Sequence, residues 1–272
     1  MGRFFTTTAE QDRHYQELVD RRRPTKLFSC GYAERFDPFL LERKPFLVPV
    51  YERLFAAWFP EPVDSILDLG CGTGLYWPVL RKHCRSLVGI DVSAAMLAEA
   101  GKLIDRHGWD HVRTLPFDGD RLPEEIGPFD AILCMDVLHH IPRLDLVLPQ
   151  LPARMKPGGR LLALEPNILN PLMFLAHALP PEERYAIIRN VGPKLRRLLH
   201  PYFEDIAIDY DYIVLSLASE AQLRMLQRVG GWMARYVPFG RRLGFRLSLS
   251  ARRRAVLPEA PARHVASSSR DR

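Results

Sequence analysis

The 272-residue sequence has little of what builds metal centres and disulfide frameworks. It contains four cysteines and no Cys-x-x-Cys pair, and the cysteines are widely scattered at Cys30, Cys71, Cys84 and Cys134. Zinc sites and disulfide scaffolds need closely spaced ligands, and iron–sulfur centres need clustered cysteines. We therefore expect neither a metal site nor a disulfide framework.

Long apolar runs are also missing. No segment approaches the ~18 uncharged apolar residues that a membrane-spanning helix requires. After Met1 the chain continues with Glu10, Asp12 and His14 instead of the apolar core of a signal peptide. These features predict a cytoplasmic protein. The composition, 47% hydrophobic and 26% charged, is that of a globular chain with a full core.

What the chain does contain is a regular alternation of short apolar runs and helix-length segments between Asp64 and Asn167. The runs predict strands, and the segments between them predict helices at Tyr76–His83, Ala94–His107 and Asp145–Met155. The predicted strands are Ser65–Leu69, Ser86–Asp91, Val112–Phe117, Ala131–Met135 and Arg160–Glu165. This alternation is typical of an α/β fold with a parallel sheet and right-handed crossovers.

Other segments flank this core. Helices are predicted over Ala9–Arg23 and Leu40–Phe59, and a helical stretch with proline and glycine interruptions follows Asn167. The segments "FEDIAIDYDYIVLS" and "GFRLSLSAR" alternate apolar and polar residues, which predicts two late strands. We expect residues 1–60 to form a helical lid, residues 61–254 one domain with an insertion at about 168–200, and residues 255–272 a disordered tail.

A glycine-rich turn follows the first predicted strand. Asp68 precedes it, and its glycines are Gly70, Gly72 and Gly74. Asp91 ends the second strand and Asp118 follows the third, so the acids should meet at the carboxyl edge of the sheet, where such folds bind nucleotides. We expect Asp68 to orient the turn or receive a cationic group. Asp91 is suited to ribose hydroxyls and Asp118 to an exocyclic amine.

A dinucleotide-binding dehydrogenase is the alternative for this half of the chain. It is disfavoured because the glycines are spaced Gly-x-Gly-x-Gly and not Gly-x-Gly-x-x-Gly. The sequence also lacks an obvious Tyr-x-x-x-Lys for hydride transfer.

Five segments together resemble the class I S-adenosylmethionine-dependent methyltransferases, of the UbiE-like kind that acts on small molecules or lipids. They are "ILDLGCGTG", "LVGIDVSAAML", "FDGDRLP", "FDAILCMDVLHHI" and "MKPGGRLLALEPN". The resemblance implies a doubly wound, Rossmann-like seven-stranded sheet of order 3-2-1-4-5-7-6, with strand 7 antiparallel, and S-adenosyl-L-methionine as cofactor. The cofactor-binding residues that it implies are Asp68, Gly70, Cys71, Gly72, Gly74, Asp91, Val92, Met96, Asp118, Gly119 and Met135.

Candidates for the chemistry follow strands 4 and 5. A general base is needed only for a protonated acceptor, and His139 or His140 has the right chemistry. The alternative is that this stretch merely packs at the sulfonium end of the cofactor. Glu165 is a candidate acceptor contact, as is Asn167, unless they form a strand-end hydrogen bond and a helix cap. Asp136 and Glu165 could suggest metal-dependent catechol methylation. The acidic-amide pair that is usual in those enzymes is missing from the sequence, which argues against a metal.

The acceptor is indicated only by composition. Apolar and aromatic residues in the N-terminal region and in the insertion favour a small, largely apolar or lipid-like acceptor, although each residue taken singly is more readily explained by packing. These residues are Phe28, Tyr32, Phe36, Phe39 and Phe46, and Leu172, Met173, Phe174 and Leu175. A non-catalytic protein that keeps the cofactor pocket remains the second hypothesis.

Acidic residues are absent between Glu220 and Glu259, where nine arginines lie. These nine arginines account for the net charge of +6, since the rest of the chain has a net charge of 6 − 9 = −3. The arginines alternate with aromatic residues such as Trp232 and Phe239. A solvated positive face, a peripheral contact with an anionic membrane or lipid, and nucleic acid all suit this pattern. Gly230-Gly231 should break a continuous interfacial helix, and the chain lacks the motifs of base methylation.

Overall fold

A seven-stranded sheet organises the computed structural model, which describes residues 10, 12–13, 16–17, 36–178, 184–215 and 219–257. The strands are β1 (Val63–Leu69), β2 (Cys84–Asp91), β3 (Val112–Pro116), β4 (Phe129–Met135), β5 (Met155–Pro166), β6 (Phe203–Asp211) and β7 (Arg246–Arg253). Their order is β3-β2-β1-β4-β5-β7-β6. Strands β1 to β5 pair in parallel, and β7 is antiparallel to β5 and β6. The predicted fold class and strand order are confirmed.

The helices connect these strands. They are α1 (Leu40–Arg43), α2 (Val48–Trp58), α3 (Trp77–Leu80), α4 (Ala94–His107), α5 (Leu144–Val147), α6 (Pro171–Ala178), α7 (Arg184–Arg189), α8 (Gly192–Leu199) and α9 (Glu220–Tyr236). Helix α4 has its predicted bounds because Ser93 caps its start and Gly108, in the left-handed conformation, ends it. Residues 10, 12–13 and 16–17 are helical as well.

Prolines shorten two of the predicted helices. The segment predicted as one helix over Asp145–Met155 is α5 followed by two 3-10 turns, Leu148–Gln150 and Pro152–Arg154. The helix predicted over Leu40–Phe59 is likewise divided by the 3-10 turn Pro45–Leu47. Proline lacks the amide hydrogen that an α-helix interior needs, and its ring clashes with the preceding turn. Both long-helix predictions were wrong for this reason.

Apolar side chains cover both faces of the sheet. Neighbouring residues of a strand point to opposite faces, so Ile66 of β1 packs with Tyr51, Phe55 and Trp77 on one side, and Leu67 packs on the other. This two-sided burial explains why the central strands are continuously apolar. It also leaves the carboxyl edge of the parallel strands for the site.

The C-terminal half differs from expectation at one point. Helix α9 runs without interruption through Gly230-Gly231, so the predicted break was wrong. Gly230 is buried, and a Cβ there would lie 2.5 Å from the ring of Tyr212, which gives this glycine a packing role. None of the helices in the described segments combines the length and apolar character needed to cross a bilayer. Phe28, Tyr32 and residues 258–272 lie outside the described residues.

Candidate functional site

The glycine turn follows β1 and has three residues in the left-handed region. Gly70, Gly72 and Gly74 have φ values of 70°, 55° and 69°, where side chains are strained. A Cβ at Gly70 would lie 2.5 Å from Val137, and one at Gly74 would lie 2.6 Å from the ring of Trp77. A Cβ at Gly72 would meet nothing within 4 Å among the described atoms. The lack of a side chain at Gly70 and Gly74 therefore makes room for other side chains of the protein, whereas Gly72 borders open space.

Asp91, the last residue of β2, holds this turn in place. Its Oδ2 accepts a hydrogen bond of 2.8 Å from the Gly72 amide, and its Oδ1 accepts one of 2.9 Å from the Ser93 amide. Burial raises the pKa of this carboxyl, although the amide donors act in the opposite direction. The carboxylate thus links the glycine turn to the start of α4. Each oxygen retains a lone pair for a further donor.

Thr73 completes the hollow at the turn. Its side chain is buried, and Oγ1 has no hydrogen-bond partner among the described residues. A buried hydroxyl without a partner is rare in native proteins and often marks a ligand or water position. The open side of Gly72, the acceptor oxygens of Asp91 and the orphan hydroxyl of Thr73 therefore fit an adenosyl sulfonium, which carries ribose hydroxyls and an amino-acid tail.

Asp68 lies beneath the turn and not at its open side. It is fully buried and accepts hydrogen bonds from the Tyr76 hydroxyl at 2.8 and 2.9 Å and from Trp77 Nε1 at 2.7 Å. Burial raises its pKa to about 7, against the lowering effect of these donors. The bonds fix the ring of Trp77 under Gly74 and Gly89. Asp68 therefore orients the turn, and the alternative that it receives a cationic ligand group is not supported.

The third strand end adjoins that of Asp91. The amide of Phe117 donates to the Asp91 carbonyl at 2.9 Å, so β2 and β3 remain paired to their ends. Asp118 is exposed, and its Oδ1 accepts from the amides of Asp120 (2.8 Å) and Arg121 (2.6 Å). Gly119 is buried with φ of 92°. One oxygen of Asp118 therefore shapes the loop, while the other has no role in these bonds.

Four more predicted residues border the same edge. Met96 is buried in the first turn of α4, and its amide donates to the capping Ser93 hydroxyl at 3.4 Å. Val92 is partly buried and Met135 is buried at the end of β4. Cys71 is buried too, and burial raises the pKa of its thiol far above the usual range. The Cys71 side chain is thus a neutral packing group.

A buried glutamate organises the loop after β4. Glu165 of β5 accepts hydrogen bonds from the amides of Val137 (3.0 Å) and Leu138 (2.8 Å), and from His139 Nδ1 at 2.5 Å. Both Glu165 and His139 are almost completely buried, and the His140 ring centroid lies 3.9 Å from that of His139. The donors of Glu165 therefore make it the acceptor that holds this loop and orients the His139 ring. Direct contact of Glu165 with an acceptor stays a prediction.

The insertion helix α7 supports this loop from the other side. Arg189 donates to the carbonyl groups of Leu138, Ile141 and Pro142, the last at 2.9 Å. Asn190 is buried, and its Nδ2 donates to Glu165 at 3.1 Å. Its Oδ1 has no partner within the part of the chain that the structure describes. Sequence reasoning missed both residues because no local motif marks them.

The two remaining candidates have structural partners. Asn167 donates from Nδ2 to the carbonyls of Arg242 (2.9 Å) and Gly244 (2.7 Å) and accepts from the Leu169 amide, so it forms the strand-end bonds of the alternative interpretation. Asp136 has a positive φ of 57° and forms an ion pair with Arg246 of β7. Among the described residues, no three His, Cys, Asp or Glu side chains are grouped to hold a metal ion.

The predicted acceptor residues separate into two groups. Phe39 and Phe46 pack against the core, which agrees with the packing interpretation. In α6, by contrast, Leu172, Phe174 and Leu175 are exposed. Exposed apolar side chains grouped on one helix often mark a binding surface. The insertion therefore supplies the apolar surface near the loop after β4.

Comparison with known proteins identifies the central segment. Residues 66–159 match the family model described as a methyltransferase domain. A tRNA U34 carboxymethyltransferase from Pseudoalteromonas translucida is 32% identical over 145 residues, covering 52% of this chain and 43% of the relative. A trans-aconitate 2-methyltransferase from Pseudomonas paraeruginosa is 36% identical over 121 residues, covering 44% and 42%. The chain thus spans less than half the length of these curated relatives.

Solved structures share the fold at low identity. A Haloferax volcanii protein described as a putative methyltransferase in complex with the Trm112 activator aligns with a TM-score of 0.57 at 16% identity, covering 89% of this chain and 97% of the other. A Haemonchus contortus phosphoethanolamine N-methyltransferase with bound S-adenosyl-L-methionine gives 0.53 at 18%, covering 76% and 52%. The [4+2]-cyclase SpnF gives 0.55 at 19%, covering 92% and 97%. The fold alone therefore does not fix the chemistry.

Asp68 makes stability depend on pH. Its pKa is about 7 when folded and 3.8 for an ordinary aspartate, so the folded state binds more protons, and the stability that this carboxyl contributes is lost as pH rises from about 4 to 7. In Asp68→Asn this component is absent. Between pH 4 and 7 the unfolding free energy of the wild type should therefore fall by on the order of 4 kcal/mol relative to that of the variant. Urea unfolding measures it, and parallel pH curves would contradict it.

Proposed function

We propose that this protein, whose residues 66–159 match a methyltransferase domain, is a class I S-adenosylmethionine-dependent enzyme that methylates a small, largely apolar metabolite or lipid precursor. The hollow formed by Asp91, Gly72 and Thr73 at the carboxyl edge of the sheet carries this proposal. In-line transfer requires that the acceptor and the methyl group are aligned and that water is excluded. The loop after β4 that carries His139 and His140 is named the histidine loop. A hollow beside this buried loop and an apolar insertion suits both requirements.

The residues around the hollow divide the work of holding the cofactor. When bound, S-adenosyl-L-methionine supplies a methyl group already activated by its sulfonium. In this proposal Asp91 accepts from the ribose hydroxyls, Asp118 from the adenine amine, and the Gly119 backbone contacts the base. Val92, Met96 and Met135 provide apolar walls, and Gly70–Gly74 with Thr73 face the methionine part. Asp68 and Cys71 support the turn from beneath.

The Glu165–His139 pair is the proposed proton acceptor. The carboxylate of Glu165 accepts from His139 Nδ1 at 2.5 Å, and we assign the proton-accepting role to Nε2, the other ring nitrogen. The ring centroid of His140 lies 3.9 Å from that of His139, with the two ring planes tilted by 41°. A base so oriented suits an alcohol or phenol acceptor, which arrives protonated. Glu165 and Asn190 are positioning residues, since they act through His139 and its loop.

The acceptor side is formed by the insertion. Leu172, Phe174 and Leu175 expose apolar surface on α6, and α7 is bound to the histidine loop through Arg189. An apolar surface favours a hydrophobic acceptor over a sugar or an acidic metabolite. Such acceptors partition into membranes, so the proposal includes a peripheral membrane contact through the arginine-rich region.

Two other functions remain as alternatives. A cofactor-binding partner protein without turnover would keep the hollow but need no oriented base. RNA methylation is raised by the tRNA-directed relative. It is disfavoured because five of the nine arginines bond to the protein itself: Arg224 to Glu220, Arg246 to Asp136, Arg252 to Glu204, Arg253 to the Met155 carbonyl and Arg254 to the His200 carbonyl.

One labelling experiment tests these functions together. The full chain is incubated with methyl-labelled S-adenosyl-L-methionine and fractionated cell extract. We expect the label in an organic-soluble product of low molecular mass. Label in RNA alone would overturn the proposed acceptor class, and no label in any fraction, despite bound cofactor, would favour the partner protein.

Replacing Asp91 tests the cofactor site directly. In Asp91→Ala the ribose would lose its charged acceptor, so affinity for S-adenosyl-L-methionine should fall by about 100-fold or more. Isothermal titration calorimetry measures the affinity, and circular dichroism checks that the fold persists. Asp110→Ala is the matched control, since Asp110 is fully exposed. Unchanged affinity in Asp91→Ala would refute the site.

Replacing His139 and Glu165 tests the base. With the acceptor found by labelling, His139→Gln should lower kcat by about 100- to 1000-fold and remove the acid limb of the pH–rate profile. Glu165→Gln should keep the loop bonds to Val137 and Leu138 but move the acid limb to lower pH, because the histidine loses its carboxylate neighbour. His111→Gln, at a partly exposed position before β3, serves as the control. An unaltered pH profile in both variants would restrict the pair to packing.

A further inference from the structure

The outer face of α9 carries a row of exposed apolar side chains. Met225, Val229, Trp232 and Tyr236 are spaced four, three and four residues apart and therefore lie on one face of the helix. Their exposed fractions lie between 52% and 62%. Isolated exposed apolar residues are ordinary, but a contiguous row beside charged residues marks an interaction surface.

Packing on the opposite side of α9 fixes this orientation. Leu223 is buried and packs with Val50 of α2. Gly230 contacts Tyr212, whose hydroxyl donates to the Gly240 carbonyl at 2.7 Å. A side chain at Gly230 would collide with that ring, so the helix cannot rotate to bury its apolar row. The exposed row is thus a consequence of the fold.

The arginines divide into two groups. Those of β7 and its end bond to the protein itself: Arg246 to Asp136, Arg252 to Glu204 and Asp205, Arg253 to the Met155 carbonyl, and Arg254 to the His200 carbonyl. Arg252 is nevertheless exposed. The other five lie along or just after α9 and are all exposed: Arg224, Arg228, Arg235, Arg241 and Arg242. Of these, Arg224 pairs with Glu220 at 2.5 Å. The outward positive charge is therefore concentrated beside the apolar row.

Phe239 extends this surface beyond the helix. It has a positive φ of 60° and is 75% exposed, with the Arg242 guanidinium 5.6 Å from its ring centre. A bulky residue in the left-handed region is strained, and such strain concentrates at functional positions. The turn that follows is bound to the insertion, since Asn170 donates to the Leu243 carbonyl at 2.6 Å. Asn170 also caps α6, where Leu172 is exposed.

We propose that this face, named the α9 surface and consisting of Met225, Val229, Trp232, Tyr236 and Phe239 with Arg228, Arg235, Arg241 and Arg242, binds an anionic lipid bilayer. The aromatic and apolar row enters the interface while the arginines meet lipid phosphates. RNA would leave the apolar row uncovered. Only the biological reason for membrane binding rests on the proposed function: an apolar acceptor dissolved in the bilayer would approach the insertion from this side.

Tryptophan fluorescence with vesicles measures the binding. Trp58, Trp77 and Trp109 are buried and Trp232 is exposed, so entry into lipid should shift the emission of Trp232 to the blue. We expect the shift, and flotation of the full chain, with vesicles of phosphatidylcholine mixed with phosphatidylglycerol. Phosphatidylcholine alone should bind it less tightly. Trp232→Phe should float normally without the shift.

Paired variants separate the two contributions. Trp232→Ser with Tyr236→Ser should reduce vesicle affinity by at least about tenfold. Arg228→Gln with Arg235→Gln should reduce it by about twentyfold on anionic vesicles only. Leu146→Ser on α5 and Arg113→Gln on β3, at the opposite edge of the sheet, are the exposed controls.

Three outcomes would overturn the inference. They are equal vesicle affinity for variants and wild type, tighter binding to oligoribonucleotides than to vesicles with the same variant dependence, and a dimer in which Trp232 is buried. None of these measurements uses methyl transfer. A failure of the labelling experiment therefore leaves this result intact, and a failure here leaves the proposed activity intact.

Discussion

The hydrogen bonds that the Asp91 carboxylate accepts from the amides of Gly72 and Ser93 are the constraint on which the site depends. They join a turn whose glycines have unusual backbone angles to the first turn of a regular helix. Without a buried acceptor between them, two amide groups would lose their partners, at a cost of about 1–3 kcal/mol each. The hollow at Gly72 is therefore a property of the β2 end as much as of the glycine sequence.

Two further buried carboxylates work in the same way at other strand ends. Asp68 of β1 holds Tyr76 and Trp77 beneath the glycine turn, and Glu165 of β5 holds the loop that carries His139. Each carboxylate accepts several donors, which compensates for burying a group that water would otherwise solvate. The edge of the sheet is thus rigid at β1, β2 and β5. In the proposed function, the exposed apolar side chains of α6 then determine which acceptor is bound.

The sequence predicted those parts whose signals are local. The central strands are continuously apolar, and α4 has both a cap and a terminal glycine, so the sheet order and this helix agree with expectation. Prolines at positions 149 and 152 ended a helix that apolar spacing alone had extended. The helix-breaking tendency of Gly230 did not end α9. This glycine packs against the ring of Tyr212, a contact that the local sequence does not indicate. Asn190 could not be foreseen, since its partner Glu165 is defined only by the tertiary fold.

The attachment of α7 to the histidine loop has a consequence for protein engineering. Arg189 and Asn190 belong to the insertion, yet they hold the segment on which His139 and His140 lie. Exchanging the insertion for that of a relative, in order to alter which molecule is accepted, would also remove two supports of the histidines. A functional chimera would have to transplant residues 136–142 together with residues 168–200, because Arg189 and Asn190 bond the insertion to the loop that carries the proposed base.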